Sequence, residues 1–469
     1  MTIARRGSTA LRGLIAAVAL NGCSDAAVGP RGCVLPVVTR VSAIADPTNA
    51  LRAFVTANVH GSDSLIVRFG VADATDGVTP VLTADADTIF APILGLEPAR
   101  TYSARVIAYS GCGAAPSDAV TFTTSALPAD LPSYTASGSD PAPGFVVFAA
   151  GRYGLVVNNA GRVVWYHQFD NGPGLNFQAQ PDGRYAARPS TTGNVPGAFL
   201  EIDPGGRVVR TVGCARELQP RMHDMIAQPD GSYWLLCDEV RTLDLSAQGG
   251  SATARVLGTD VQHRSAAGDV LFDWSPFGHI EVMLDVLDPV DRDAAIVNWT
   301  HGNSIDIDPE GNLLVSFRNL NEVAKVDTRT GAVLWRLGGT SKQLSVEGET
   351  PPFAHQHGVR AVGVDDVQLL DNLGDATGSR AERYHIDASR RVARLTGTFR
   401  SAARLVAQIG GSTQALSGGH TLVSYGNGAG VEEYDSTGAT VWRLTGQTGY
   451  VFRAQRIRSL YAPGVADAR

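Results

Sequence analysis

Apolar and polar residues alternate over short runs along most of this chain. Leu51-Arg52-Ala53-Phe54-Val55-Thr56-Ala57 and Leu65-Ile66-Val67-Arg68-Phe69 show the pattern first. Thr101 to Tyr109 and Val120 to Thr124 repeat it. Period two over short runs, broken by Gly, Pro and Asp, predicts half-buried β-strands. Residues 34–126 therefore read as a small β-sandwich. The stretch 127–144 is rich in Pro, Ser and Gly and reads as a linker.

From residue 145 onward one motif recurs. A strand ends in Asp or Asn, a turn holds Gly or polar residues, and a second strand leaves, often with Trp. Asn158-Asn159-Ala160-Gly161 leads into Val164-Trp165, and Asp203-Pro204-Gly205-Gly206 into Val208-Val209. Ala266-Ala267-Gly268-Asp269 leads into Phe272-Asp273-Trp274, and Asp327-Thr328-Arg329-Thr330-Gly331 into Leu334-Trp335. Asp387-Ala388-Ser389-Arg390 leads into Val392, and Asp435-Ser436-Thr437-Gly438 into Val441-Trp442. Six such hairpins, about 45 to 63 residues apart, predict a propeller with one four-stranded plan per blade. Inner hairpins precede five of them, at Pro181-Asp182-Gly183, Pro229-Asp230-Gly231, Pro309-Glu310-Gly311, Val364-Asp365-Asp366 and Ser417-Gly418-Gly419. The sixth inner strand is expected from Phe452 to Arg458, beside 144–158. The fold class is thus all-β: a six-bladed β-propeller over 145–461, preceded by a small β-sandwich.

Composition agrees with this. Of 469 residues, 18% are charged and 52 are glycine, which suits a turn-rich β protein. A net charge of −7 gives no basic footprint for nucleic acid. Residues 1–23 read as an export signal: Arg5, Arg6 and Arg12 come first, then the short apolar core Leu14–Leu20. Asn21-Gly22-Cys23 resembles a bacterial lipoprotein signal, which implies lipid on Cys23. The expected location is periplasmic or cell-surface, anchored by that lipid to the outer membrane. An ordinary cleaved signal is the alternative. Export suits disulfides, and four further cysteines allow three pairings. The small region holds Cys33 and Cys112 and the large one Cys214 and Cys237, so these pairs are expected. Leu94 to Tyr102 resembles the Leu-x-Pro-x-x-x-Tyr corner of fibronectin type III modules, with a spacer role expected.

Candidate chemistry comes from counting back from the inner hairpins. His223, His301 and His357 each fall a few residues before one, at the starts of three consecutive innermost strands. In a propeller those strand starts ring one mouth of the central channel. Asn303, two residues past His301, is expected on the same face. Arg318 follows on the next strand. His355 is a neighbour, and Gln356 would orient His357. His279 lies on a connection that would fold over the mouth in a minority reading. His60, His167, His263 and His385 are expected on outer surfaces, and His420 falls after its hairpin.

Met222-His223-Asp224, Thr300-His301-Gly302-Asn303-Ser304, Val315-Ser316-Phe317-Arg318, Gln356-His357 and Leu370-Asp371-Asn372 carry a resemblance. Together with Thr330-Gly331 and Trp335 to Gly339, they resemble the bacterial arylsulfate sulfotransferase family over roughly 145–461. The resemblance implies a six-bladed propeller that moves a sulfuryl group from an aryl sulfate to a phenol, without adenylyl sulfate and without cofactor or metal. It implies His357 as nucleophile, with Arg318, Asn303 and His301 on the sulfuryl oxygens and His223 in proton transfer. Gln356 joins Asn303 as substrate-binding. The chemistry fits those residue types. Sulfuryl transfer resembles phosphoryl transfer, with charge on three equatorial oxygens and in-line groups. A neutral imidazole is a competent nucleophile near neutral pH. Two rivals stay open: zinc held by His223, His301 and His357, and a non-catalytic exported propeller that binds a ligand or protein. The oligomeric state is open, a homodimer included.

Overall fold

The computed structural model describes residues 33–464, apart from 73, 190–196, 293, 349–350 and 447–448. The expected signal, 1–23, and Cys23 lie outside the described residues. Among the described residues the strands form eight sheets, and the one α-helix is the four-residue Pro289–Arg292.

Two sheets come from the N-terminal part. Val37–Ala45, Arg52–His60 and Thr88–Leu94 make one; Ser64–Val71 and Thr101–Ser110 lie at the centre of the other. Alternate residues of the two face each other: Ala53, Val55 and Ala57 from one, Leu65, Val67, Ala104 and Val106 from the other. They form a cluster of their own, as the period-two pattern demands. The Tyr102 hydroxyl accepts the Glu97 backbone N–H at 2.8 Å and closes the corner that the sequence marks. Cys33 and Cys112 are bonded, as are Cys214 and Cys237. This part rests on the remainder of the chain through specific bonds. Asn49 Nδ2 donates to the Tyr166 carbonyl at 2.6 Å, and the Tyr461 hydroxyl accepts from Leu94 N at 3.0 Å.

The other six sheets, numbered 1 to 6 in chain order, share one plan: four antiparallel strands, innermost to outermost. Sheet 2 runs Phe177–Ala179, Tyr185–Ala187, Phe199–Ile202 and Val208–Val212. Sheets 3, 4, 5 and 6 start with Gln219–Ala227, Gly302–Ile307, His357–Ala361 and Ser412–Ala415. Sheet 1 takes its inner strand from Ala454–Ile457, which pairs antiparallel with Phe145–Ala150. That is the pairing expected for the sixth inner strand.

Each neighbouring pair of sheets encloses an apolar cluster. Trp165, Phe177 and Tyr185 fill the gap between sheets 1 and 2. Leu236, Ile305 and Val315 fill that between 3 and 4. Val146, Phe148, Leu422 and Trp442 fill that between 6 and 1. The inner strands are also stitched by side chains to the neighbouring backbone. Gln455 Oε1 accepts from Ala179 N, Gln180 Oε1 from Ala227 N, and Asp224 Oδ2 from Ile305 N. Ser304 Oγ accepts from Val359 N, and Gln414 Oε1 from Arg456 N.

The stretch read as a linker is partly strand. Tyr134–Gly138 pairs antiparallel with Thr440–Gly446 as a fifth strand of sheet 6. Ser and Gly do not prevent this on an edge, where one side of the backbone finds a partner and the Thr135 and Thr445 hydroxyls meet at 3.0 Å. Ser345–Glu347 similarly lies parallel to Val392–Arg400 outside sheet 5.

Candidate active site

Three of the inner strands break register where the candidate residues sit. In sheet 3, Pro220 pairs with Cys237 and the next pair is Met225 with Leu235, so Arg221 to Asp224 loop out. In sheet 4, Gly302 faces Phe317 and Ser304 faces Ser316, which leaves Asn303 as the extra residue. In sheet 5, the irregularity follows His357. Bulges re-aim side chains at the ends of strands. Backbone conformation adds to this: His301 and His355 have φ of 49° and 54°, a region that residues other than glycine seldom adopt. The strict period-two relation expected between His301 and Asn303 is lost through the bulge.

The three imidazoles converge. The His223 and His301 rings are 5.2 Å apart, and Phe452 lies 5.6 Å from His223 and 6.1 Å from His357. Arg318 opens the short turn after Leu313–Phe317. Its backbone N–H donates to the His301 carbonyl at 3.1 Å, which pins the two residues together. Its guanidinium is half-buried and donates to Asn319 Oδ1 at 2.8 Å. Among the described residues it forms no ion pair, so most of its donors are uncommitted.

His357 has a fixed tautomer. Its Nδ1 lies 2.9 Å from the His355 carbonyl and 2.9 Å from Asn372 Oδ1. Asn372 is itself locked, since its Nδ2 donates to the Ala407 and Gly410 carbonyls. Both neighbours of Nδ1 are acceptors, so Nδ1 carries the proton and Nε2 keeps its lone pair. His301 is set the opposite way: Asn298 Nδ2 donates to its Nδ1 at 2.7 Å, which leaves Nε2–H as a donor.

Burial keeps these rings neutral. It holds His357 down to about 4, against hydrogen bonds to Asn372 and His355 that raise it. Burial, followed by the Arg221 charge, holds His223 and His301 well below the usual histidine range. Burial also lowers Arg318, opposed by Asp291 and Asp288. The arrangement brings near one another an uncharged nucleophilic nitrogen, a ring N–H donor and a guanidinium with no ion pair among the described residues.

The other expected residues fall as follows. The Asn303 amide donates to the Gln356 carbonyl at 2.6 Å, and Asn303 is fully buried. The Gln356 amide donates to Ser316 Oγ and to the Phe317 and Glu322 carbonyls. These bonds fasten the approach to His357 onto sheet 4. His355 lies beside the site, with its ring 3.4 Å from Asp288. His279 stacks on Trp274 at 5.1 Å, beside Gly331 of an outer hairpin. Among the described residues no group of three or more His, Cys, Asp or Glu side chains is placed to hold a metal ion.

Asn372, Asn298, Arg221, Phe452 and the Asp224–Arg453 pair were not foreseen as a set. Asp224 accepts from Arg453 at 2.5 and 3.0 Å and from Ile305 N, behind His223. Met222-His223-Asp224 and Leu370-Asp371-Asn372 stand out as motifs, but their roles depend on contacts between sheets.

None of the curated proteins compared matches the chain. Among solved structures, a protein of unknown function from Bacteroides caccae is 13% identical, with a TM-score of 0.43. The alignment covers 68% of this chain and 100% of that one. A catalytically inactive virginiamycin B lyase from Staphylococcus aureus, solved with quinupristin, is 10% identical with a TM-score of 0.36, over 66% and 99% of the two chains. A streptogramin B lyase is 8% identical with a TM-score of 0.37, over 67% and 98%. These values carry no argument about function. The model of the arylsulfotransferase (ASST) family, by contrast, matches residues 202–448, just over half of the chain and all of the His223–Asn372 constellation. The chain belongs to the arylsulfotransferase family.

Proposed function

We propose that this protein transfers a sulfuryl group from an aryl sulfate ester to a phenolic acceptor, in two displacements through a sulfohistidine at His357. The observation that carries the reading is the lock on His357 Nδ1, which leaves the Nε2 lone pair free near Arg318, an arginine with no ion pair among the described residues. In the first half, Nε2 attacks sulfur and the bond from sulfur to the aryl oxygen breaks. The ring then bears positive charge, and the His355 and Asn372 oxygens on Nδ1–H stabilise it. Arg318 and the His301 N–H hold the equatorial oxygens as charge builds there, with Asn303 supporting the cradle. Such a donor is commonly worth roughly 3–4 kcal/mol of barrier. In the second half, the acceptor phenol loses its proton to His223, attacks sulfur, and the N–S bond breaks. His223 is uncharged and so has a lone pair to take that proton.

The six sheets, with their six intervening clusters, support a six-bladed propeller over 145–461. The Tyr102 corner supports a fibronectin type III-like module over 34–126. Two disulfides support export, with lipid at Cys23 as the proposed anchor to the outer membrane. The test is direct. Protein given 4-nitrophenyl sulfate and phenol should release nitrophenol, and donor alone should leave one sulfuryl adduct on His357 by mass spectrometry. H357N should abolish both; unchanged nitrophenol release would remove the nucleophile from His357.

A further inference from the structure

Arg221 precedes His223 by two residues on the inner strand of sheet 3. Met222 between them is 41% exposed, whereas Arg221 is 7% and His223 8% exposed. The looped-out backbone thus sends both side chains inward and Met222 outward. Arg221 Nη1 donates to Asp238 at 2.6 Å, and the carboxylate is in part open to solvent. The Nε of Arg221 is buried without a hydrogen-bond partner. A buried guanidinium donor left unmatched is costly unless something else fills it. Arg221 is also the strongest single charge acting on both His223 and His301, whereas Arg318 is the strongest on His357. Arg221 and Arg318 thus both act on His301, and Arg453 is a further cation near His223.

The proposed reaction leaves a role open for Arg221. In-line displacement puts the departing aryl oxygen on the side of sulfur away from His357. A neutral His223 gives up its remaining proton poorly, since imidazolate would result. The departing oxygen therefore leaves as phenolate and needs a positive charge. We infer that Arg221, steered by Asp238, donates to the bridging aryl oxygen and carries the charge of the leaving phenolate. The balance is simple. The Nε2–S bond forms, the S–O bond breaks, its electron pair stays on the aryl oxygen, and no proton moves in that half. In the return half the same donor steadies the acceptor oxygen as His223 takes its proton, which His223 then releases to water. The substrate class this serves is aryl sulfates with poor leaving groups, those of unactivated phenols with pKa of about 10.

This inference rests on the sulfuryl-transfer reading, and the experiment separates the two. kcat/KM is measured for wild type, R221Q, R221K and D238N over substituted phenyl sulfates, from 4-nitrophenyl to unsubstituted phenyl. For R221Q the expected loss is about 10²–10³-fold on phenyl sulfate and roughly tenfold or less on 4-nitrophenyl sulfate. The dependence of rate on leaving-group pKa then steepens. R221K should recover part of the loss and D238N should fall between. Losses equal across the series, or absent, in these variants overturn the role of Arg221 while wild-type turnover leaves sulfuryl transfer standing. A wild type inert toward every aryl sulfate defeats both. If R221Q does not fold, R221K and D238N carry the same comparison.

Discussion

The imidazole of His357 offers one nitrogen for chemistry, because the other is held by two oxygens. Asn372 is the residue on which that depends. N372L should keep the fold yet lose about 10²-fold in kcat, because the ring is free to turn. N372D should retain orientation and raise the ring's proton affinity through a full negative charge. The pH profile checks this: with His357 at about 4, the wild-type acid limb should fall near pH 4, and N372D should move it upward. Stability follows the same groups. The unfolded ring titrates near about 6.5 and the folded one near about 4, so the unfolded chain binds the extra proton between these values. Folding stability should therefore be flat for this group above about pH 6.5 and fall as pH drops toward 4, with His223 and His301 adding in the same direction. Denaturant midpoints measured across that window test the sign. At this scale the sequence was partly legible. His223, His301 and His357 could be found by their distance from inner hairpins, because the blade plan repeats. Arg221 and Asn372 could not be assigned roles, because each depends on a bulge or on a carbonyl of the adjacent sheet.

Elements are joined by a device that the tryptophans announce. Trp165 Nε1 donates to the Pro204 carbonyl at 2.9 Å, Trp274 to Gly331 at 3.0 Å, and Trp442 to Asn159 at 2.9 Å. In each case the fourth strand of one sheet, counted from the inside, reaches the outer hairpin of the next. Trp442→Phe should cost about 1 kcal/mol, seen as a lower unfolding midpoint with activity retained. Gly358 works at closer quarters. Its φ is +64°, and a Cβ there would stand 2.9 Å from Ser412 Cα. Gly358→Ala should destabilise by about 1–3 kcal/mol and displace His357, so activity should drop more than stability alone explains. The six outer hairpins were legible because Gly, Asp and Asn mark turns that need unusual backbone angles. The register breaks were not, since nothing local in Arg221 to Asp224 distinguishes a bulge from a continuing strand. Tyr134–Gly138 was read as linker for a similar reason: its strand state comes from the partner Thr440–Gly446.

For the whole molecule, Ala454–Ile457 supplies the inner strand of sheet 1, and Phe452 and Arg453 just before it reach the site. Removal of 452–469 should leave sheet 1 without its inner strand and expose Val146 and Phe148, which are now fully buried. The expected result is loss of soluble, cooperatively unfolding protein, checked by calorimetry. The N-terminal sheets carry their own core, so their effect on catalysis should be small. Both disulfides and the architecture of inner and outer hairpins could be anticipated, because pairing by region and repeat spacing are global properties. How the two parts touch, through Asn49 and Tyr461, could not, because those bonds join residues with no shared pattern.

Arg453 has a consequence in time as well as space. A nascent polypeptide carries His223, His301 and His357 well before it carries Phe452 and Arg453. Until those arrive, Asp224 has Arg360 beside it but not Arg453, and Phe452 is missing from beside His223. On the proposed chemistry, half-made molecules should therefore be inert toward phenols, with sulfation beginning when the final strand pairs.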